Sequence, residues 1–208
     1  MIFKDRRDAG ERLSDELLKN KTLLKKRKDT VVVSLLRGGV IVGQAIAKRI
    51  RAVHLPLAVT KISSPFNQEL AIGALCFSFV FLQKKIIHRL HLKKEAVDIQ
   101  ISIAKIRHLD YIQKFNLNID QFKKKLRNKT VLIVDDGIAT GATVKAALLF
   151  IKSKKPKKII LAVPVSPLDF IMKGFNKTVI LHKDAFFSSV SQFYEHFPQV
   201  EDKEAESI

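Results

Sequence analysis

The sequence predicts an α/β fold, a mainly parallel sheet with helices on both faces. Two observations carry the expectation. Short, continuous apolar runs rich in β-branched residues recur at 31–36, 55–60, 131–134, 159–163 and 178–181. Apolar runs without alternation mark strands covered on both sides. Segments of helical spacing separate several of them, as βαβ units require.

The elements follow in order. Asp5 and Asp8 suit the cap and first turn of a helix, and Ala9, Leu13 and Leu17 recur every four residues on one stripe. The run VVVSLL at 31–36 is a buried strand broken by Arg37, Gly38 and Gly39; a helical pattern then reaches about Ile50, and LPLAVT at 55–60 is the next strand. Residues 61–73 have turn chemistry and little periodicity, predicting a long flexible loop with room for a short hairpin. A further strand is expected at 75–82. Leu92, Ala96, Ile99, Ile103 and Ile106 fall four, three, four and three residues apart, predicting a helix whose apolar stripe seeks a groove or partner. Residues 143–152 are expected as a helix, 84–126 as a helical insertion and 201–208 as a loose acidic tail, all within one domain over 1–208.

A chain of 208 residues, 47% of them hydrophobic, can bury a sizeable core. The longest nearly unbroken apolar stretch, 73–82, is too short to span a membrane, and the first residues hold no apolar leader, so a cytoplasmic protein without a membrane partner is expected. A single cysteine, Cys76, excludes an internal disulfide and multi-cysteine zinc, and is expected as a small buried hydrophobe. The six histidines show no ligand spacing. The net charge of +18 is extreme. Its lysines gather at 25–28, 123–125 and 152–158, where helices should end or loops begin, and read as a dispersed basic surface in preference to a dedicated nucleic-acid face. Such a field also attracts small polyphosphates.

The chemistry concentrates in VLIVDDGIATGAT at 131–143. A small-residue loop that opens a helix directs backbone N–H groups at an anion, and Thr140 and Thr143 add hydroxyl donors. Neither G-x-x-x-x-G-K-[ST] nor G-x-G-x-x-G is present. Asp135 and Asp136 would repel a phosphate unless they faced something else; ribose hydroxyls are donors that carboxylates accept, and Mg²⁺ is a cation they hold directly or through water. A sugar with a 5′-phosphate, two hydroxyls and a metal-bound diphosphate matches every part, and phosphoribosyl diphosphate is that ligand. An acidic pair after a strand also opens bacterial receiver domains, but those carry more chain behind it. A plain strand-to-helix turn would need only one acid.

The stretch resembles the phosphoribosyl-diphosphate motif of the type I phosphoribosyltransferases. SLLRGGV at 34–40 is similar to the family's diphosphate loop, and NQELAIGA with FYEHFPQ looks like a poorly characterised bacterial branch. The resemblance implies a Rossmann-like fold with a small hood. It implies that Asp135 and Asp136 hold the ribose hydroxyls and Mg²⁺, and that the loop from Gly137 through Ala139, Thr140, Gly141, Ala142 and Thr143 binds the 5′-phosphate. Arg37 and Gly38 would face the diphosphate in a turn of unusual peptide conformation, and Lys61 would lead the segment that closes over the reaction. Family members acting on 6-oxopurines usually carry an acid at the position of Ala139, which makes hypoxanthine or guanine a weaker expectation.

The activity so implied is transfer of phosphoribose to a nitrogen acceptor, a nucleobase, with release of diphosphate, within nucleotide metabolism and by a homodimer. Arg37 and Lys61 would be the catalytic residues. The alternative is a non-catalytic sensor of phosphoribosyl diphosphate that binds nucleic acid through its basic surface. Phe186, Phe187, Phe193, Tyr194 and Phe197 form either a hood that stacks on a base or a satellite core. Arg6 and Arg7 are either surface residues or reach toward the phosphate region.

Overall fold

The computed structural model describes residues 2–19 and 27–201. Residues 25 and 26 of the basic run at 25–28 and residues 202–208 of the acidic tail lie outside them. Helix α1 (Arg6–Leu18) starts at Asp5, whose carboxylate accepts the N–H of Asp8, and buries Ala9, Leu13 and Leu17. Strand β1 (Thr30–Leu35) is buried along its whole length. Helix α2 (Gly38–Ile50) and strand β2 (Val53–Leu57) follow. After an inserted segment come strand β6 (Thr130–Val134), helix α6 (Ala142–Ser153), strand β7 (Lys158–Pro167) and strand β8 (Lys177–Asp184).

These strands form a five-stranded parallel sheet in the order β2-β1-β6-β7-β8. Side chains alternate across it. Val31, Val33, Val131, Ile133, Ile159 and Leu161 pack toward α6, whereas Val32, Leu132, Val134, Ile160 and Ala162 pack toward α1 and α2. Helices therefore cover both faces, as expected. The chain leaves β1 toward β2 on one side and returns to β6 on the other. The carboxyl ends of β1 and β6 thus flank the point where strand order reverses, the place where open α/β sheets bind ligands.

The insertion departs from expectation. The strand expected at 55–60 is two: β2 ends at Leu57, and β3 (Thr60–Ser63) begins a second, antiparallel sheet with β4 (Ala71–Cys76) and β5 (Phe79–Leu82). Both ends of the long loop expected at 61–73 belong to this hairpin, for which the sequence left room, with a bulge between Ile62 and Ser63, so the loop shrinks to 64–70. The strand expected at 75–82 contains a turn at Phe77, whose φ is 51°. AIGALC is continuously apolar because β4 lies between α6 and helix α4 (Lys94–Lys114). Cys76 within it is fully buried, which pushes its thiol up.

Helix α4 exists, and of the stripe expected to seek a groove or partner Ile99, Ile103 and Ile106 are 58%, 37% and 70% exposed. The buried positions are Val97, Ala104 and His108, with Ile101 partly covered between them. Both stripes have the same heptad-like spacing, so periodicity could not choose. Close approach did, since Ala104 is small and His108 makes bonds that no isoleucine can. Helices α3 (Lys84–Arg89) and α5 (Ile119–Leu126) complete the insertion, α5 burying Phe122 and Leu126 against the main core.

His108 joins this helix to the small sheet. The N–H of Phe77 donates to its Nε2 at 2.7 Å, so the proton of the neutral ring lies on Nδ1, 3.0 Å from Thr60 Oγ1. Burial lowers the imidazole to about 4, and does the same for His54, which bonds Ser34 Oγ at 2.7 Å. The unfolded chain protonates these rings at about 6.5, before the folded protein does, so stability is lost as the pH falls. Urea denaturation between about pH 7 and pH 5 is expected to reveal a loss of about 2 kcal/mol per histidine. His108→Gln should flatten roughly half of that dependence; an unchanged pH profile would contradict the assignment.

The late aromatics divide. Phe193 and Tyr194 are buried with Phe3, Ala9 and Val165, and Phe187 and Phe197 pack against them as a satellite core. Phe186 is 91% exposed.

Candidate functional site

Beyond β1 the peptide bond between Leu36 and Arg37 is cis, Arg37 caps α2, and the helix starts directly with Gly38 and Gly39. Both glycines are required by what lies opposite. A methyl group on Gly38 would overlap Asp136 Oδ2, and one on Gly39 would lie 2.9 Å from both Cα and Oδ1 of Asp135. The first turn of α2 is thereby seated on the acidic pair.

Asp135 and Asp136 leave the end of β6 into this contact. Asp135 Oδ1 accepts the N–H of Asp136 at 3.0 Å. Arg6 donates from Nε to Asp136 Oδ2 at 2.8 Å and from a terminal nitrogen to the carbonyl of Pro198 at 2.7 Å, with its guanidinium 3.7 Å over the ring of Phe197. Tyr194 donates its hydroxyl to the Asp136 carbonyl at 2.6 Å. Burial holds Asp135 well above the ordinary carboxylate range, and the Asp136 charge adds to that. Burial also raises Asp136, but there Arg6 opposes it. One acid is thus tied to a cation, and its neighbour is the less readily ionised. Burial, then the Asp136 charge, raises the Tyr194 phenol.

After the pair, Gly137 packs beneath Val165 and Val190, and Ile138 N–H bonds the Val165 carbonyl at 2.9 Å. Ala139 and Thr140 form an exposed rim, Thr143 is half-buried and Ala142 is buried. Gly141 adopts φ 75°, a conformation that favours glycine, and caps α6 without a side chain, with Phe170 and Met172 packed against it. The first N–H groups of α6 therefore have no side-chain cap and carry the helix's partial positive charge.

The structure thus brings Arg37 and Gly38 to the loop at 135–143. It treats Lys61 differently: the lysine bonds within its own hairpin, to the carbonyl of Glu69 at 3.3 Å and its carboxylate at 3.5 Å. Arg6, which the sequence leaves open between the surface and the phosphate region, and Tyr194, which it offers as hood or satellite core, both reach Asp136. Arg6 had a signal, since it stands in line with the buried stripe of Ala9, Leu13 and Leu17, where an arginine needs a partner. Arg7 instead borders a groove of about 1100 Å³ between α1 and α2, which includes Lys48 and His54 but none of the strand-end groups.

Residues 78–190 match the model of the phosphoribosyl transferase domain. The chain belongs to the phosphoribosyltransferase family. It is 35% identical over 207 residues to the protein named "Putative phosphoribosyl transferase Rv0571c" of Mycobacterium tuberculosis, covering 98% of this chain and 45% of that one. The chain spans about half the length of the curated relatives it matches so extensively. The crystal structure of TT1426 from Thermus thermophilus superposes with a TM-score of 0.71 at 27% identity, covering 100% of this chain and 97% of the other. AQ2163 of Aquifex aeolicus, with a TM-score of 0.52 at 15% identity over 86% and 74% of the two chains, shares the fold. The five-stranded sheet with its acidic pair at the switch point is the type I phosphoribosyltransferase fold.

Proposed function

We propose that this phosphoribosyltransferase domain transfers the phosphoribosyl group of phosphoribosyl diphosphate to a nitrogen acceptor, a nucleobase, and releases diphosphate. The observation that carries the reading is the seating of the Gly38–Gly39 turn on Asp135 and Asp136, next to the uncapped start of α6. Three ligand parts fit three neighbouring features. The loop from Ala139 to Thr143 and the helix start take the 5′-phosphate, the carboxylates accept the ribose hydroxyls, and the turn at Arg37 faces the diphosphate.

Magnesium fits this donor set as an ion that arrives with the diphosphate. Among the described residues no third His, Cys, Asp or Glu joins the pair, and Mg²⁺ commonly combines one or two carboxylates with waters and substrate phosphates. When bound, the ion supplies charge neutralisation for the diphosphate.

In the reaction, a bond forms between the acceptor nitrogen and ribose C1, the bond from C1 to the diphosphate oxygen breaks, and its electron pair leaves with the diphosphate. The proton of the acceptor nitrogen passes to water or to the departing diphosphate. The chain's contribution is orientation and fixed charge. Arg37 supports the departing diphosphate, and Asp136, fixed by Arg6, holds the ring while C1 moves between partners. The hairpin loop at 64–70 is the segment that would exclude water, with Lys61 at the base of its first strand. A diphosphate-release assay across the nucleobases tests the proposal: one base should stimulate release, and release stimulated by none would count against a nucleobase acceptor.

A further inference from the structure

Two runs of basic residues that are separate in the sequence meet at one end of the molecule. β1, β6 and β7 are in register, with Thr30 beside Thr130 and Thr130 beside Lys158, so their amino-terminal ends form one edge opposite the acidic pair. Helices α5 and α6 lead into β6 and β7, and both end at this edge. Helix α5 carries Lys123, Lys124 and Lys125 in its last turn, with Arg127 as its cap, and α6 ends in Lys152 and Lys154. Lys155, Lys157 and Lys158 follow, and Lys177 opens β8. The backbone fastens the two turns together: Asn128 N–H bonds the Lys155 carbonyl at 3.1 Å and Lys157 N–H bonds the Lys129 carbonyl at 2.8 Å.

Most of this charge faces water uncompensated. Lys129 is paired with Asp29 at 2.7 Å, and the Lys154 ammonium lies 4.5 Å over the Phe150 ring. Lys123, Lys124, Lys125, Lys155, Lys157 and Lys158 are exposed and, among the described residues, form no salt bridge. Neither 121–134 nor 145–158 contains an acidic residue. Lysines near helix C-termini do stabilise helices, but the run continues past both caps and onto the start of β7, where no helix end remains to be satisfied.

We propose that this edge binds the phosphate backbone of double-stranded nucleic acid. Four strands at about 4.8 Å spacing span roughly 15–20 Å, over which a duplex presents about ten charges at one per 1.7 Å. The aromatic residues of these segments, Phe122 and Phe150, are both buried, so the edge has no platform on which unpaired bases could stack. Contact is therefore with phosphates and carries no base reading. The sheet gathers basic runs that the chain separates. The surface is independent of the transferase reading, because it lies at the opposite end of the strands.

Fluorescence anisotropy with a labelled DNA duplex of about 20 base pairs, titrated between about 50 and 200 mM salt, tests it. Binding should weaken with a slope of log Kd on log salt of about 5, from six phosphate contacts. An RNA duplex of the same sequence should bind within about tenfold. Replacing Lys123, Lys124, Lys125, Lys155, Lys157 and Lys158 together with Gln should abolish most of that slope and weaken binding at least about 100-fold, in a variant that still unfolds cooperatively on heating. Lys93→Gln/Lys94→Gln/Lys105→Gln, an exposed set on and beside α4, should leave it nearly intact. Equal binding by the two variants would overturn the proposal, as would no duplex binding at about 100 mM salt. Capture of the wild type by anionic lipid vesicles, under conditions where the duplex does not bind, would also overturn it. The assay contains no phosphoribosyl diphosphate, so its outcome is separable from that of the transferase reaction.

Discussion

Asp135→Asn is expected to make the ligand-free protein more stable while impairing its hold on phosphoribosyl diphosphate. Burial and the Asp136 charge raise the folded-state pKa of Asp135 above its value in the unfolded chain. A group shifted in this direction favours the fold below about pH 4, and the contribution is lost as the pH rises through the folded value. At neutral pH the wild type therefore carries the cost of two adjacent, largely desolvated carboxylates, of which, among the described residues, Asp136 alone has a cation, Arg6, within bonding distance. Asparagine keeps the Oδ1 that accepts the Asp136 N–H and removes the charge. The expected gain is about 1–2 kcal/mol, or about 2–8 °C in melting temperature for a chain of this size. The difference between variant and wild type should grow as the pH is raised from about 4 to 7. Thermal melts at the two pH values measure it, and a variant that melts below the wild type at neutral pH would contradict this account of the pair.

Arg6→Gln is expected to do the opposite, destabilising the protein by about 3 kcal/mol, because it leaves a largely buried carboxylate without its counter-charge. The side chains of Arg6 and Asp136 are only 8% and 16% exposed. Arg6 also spans two partners from different nitrogens, Asp136 and Pro198, and stacks on Phe197. Arg6→Lys should therefore recover little, since an ammonium has no planar fork to divide between them. Adding Asp136→Asn to Arg6→Gln should restore a substantial part of the lost stability, because the uncompensated charge is then gone. Urea denaturation of the four proteins in this cycle gives the coupling directly. A loss below about 0.5 kcal/mol for Arg6→Gln would mean that the ion pair contributes no more than an exposed one.

The two ends of the described chain converge on this pair. Phe3 N–H bonds the Phe193 carbonyl at 2.8 Å, and Glu195 N–H returns to the Phe3 carbonyl at 2.8 Å. The segment before α1 and the segment after β8 are thereby joined beside Asp136, and the aromatics between them act as a wedge behind the acid.

What the sequence makes legible follows from how local each signal is. The buried strands of the parallel sheet announce themselves because residues covered on both faces leave continuous apolar runs. The acidic pair and the loop behind it lie in one contiguous stretch, so their chemistry is readable without knowing the fold. Lys61 and the segment to Gly73 read as a loop because Ser63, Ser64, Pro65, Asn67 and Gly73 break up any periodicity there, yet β4, itself enclosed between two helices, pairs with β3 and turns both ends of the segment into a hairpin. On α4 the sequence does not tell which of two equally spaced stripes packs inward, because spacing alone does not weigh the small size of Ala104 or the hydrogen bonds of His108. Arg6 stays open in the sequence because its partner is 130 residues away. The lysine edge is invisible for the same reason, since only strand register brings residues near 125 beside those near 155.

Calorimetric titration of phosphoribosyl diphosphate, with Mg²⁺ present, into the wild type and into Asp135→Asn/Asp136→Asn decides whether the acidic pair holds the ribose. Saturable binding by the wild type is expected, with at least about a 100-fold weakening in the variant, which loses two charge-assisted acceptors at once. Equal affinity in the two proteins, both folded, would contradict the assignment of the acidic pair to the ribose.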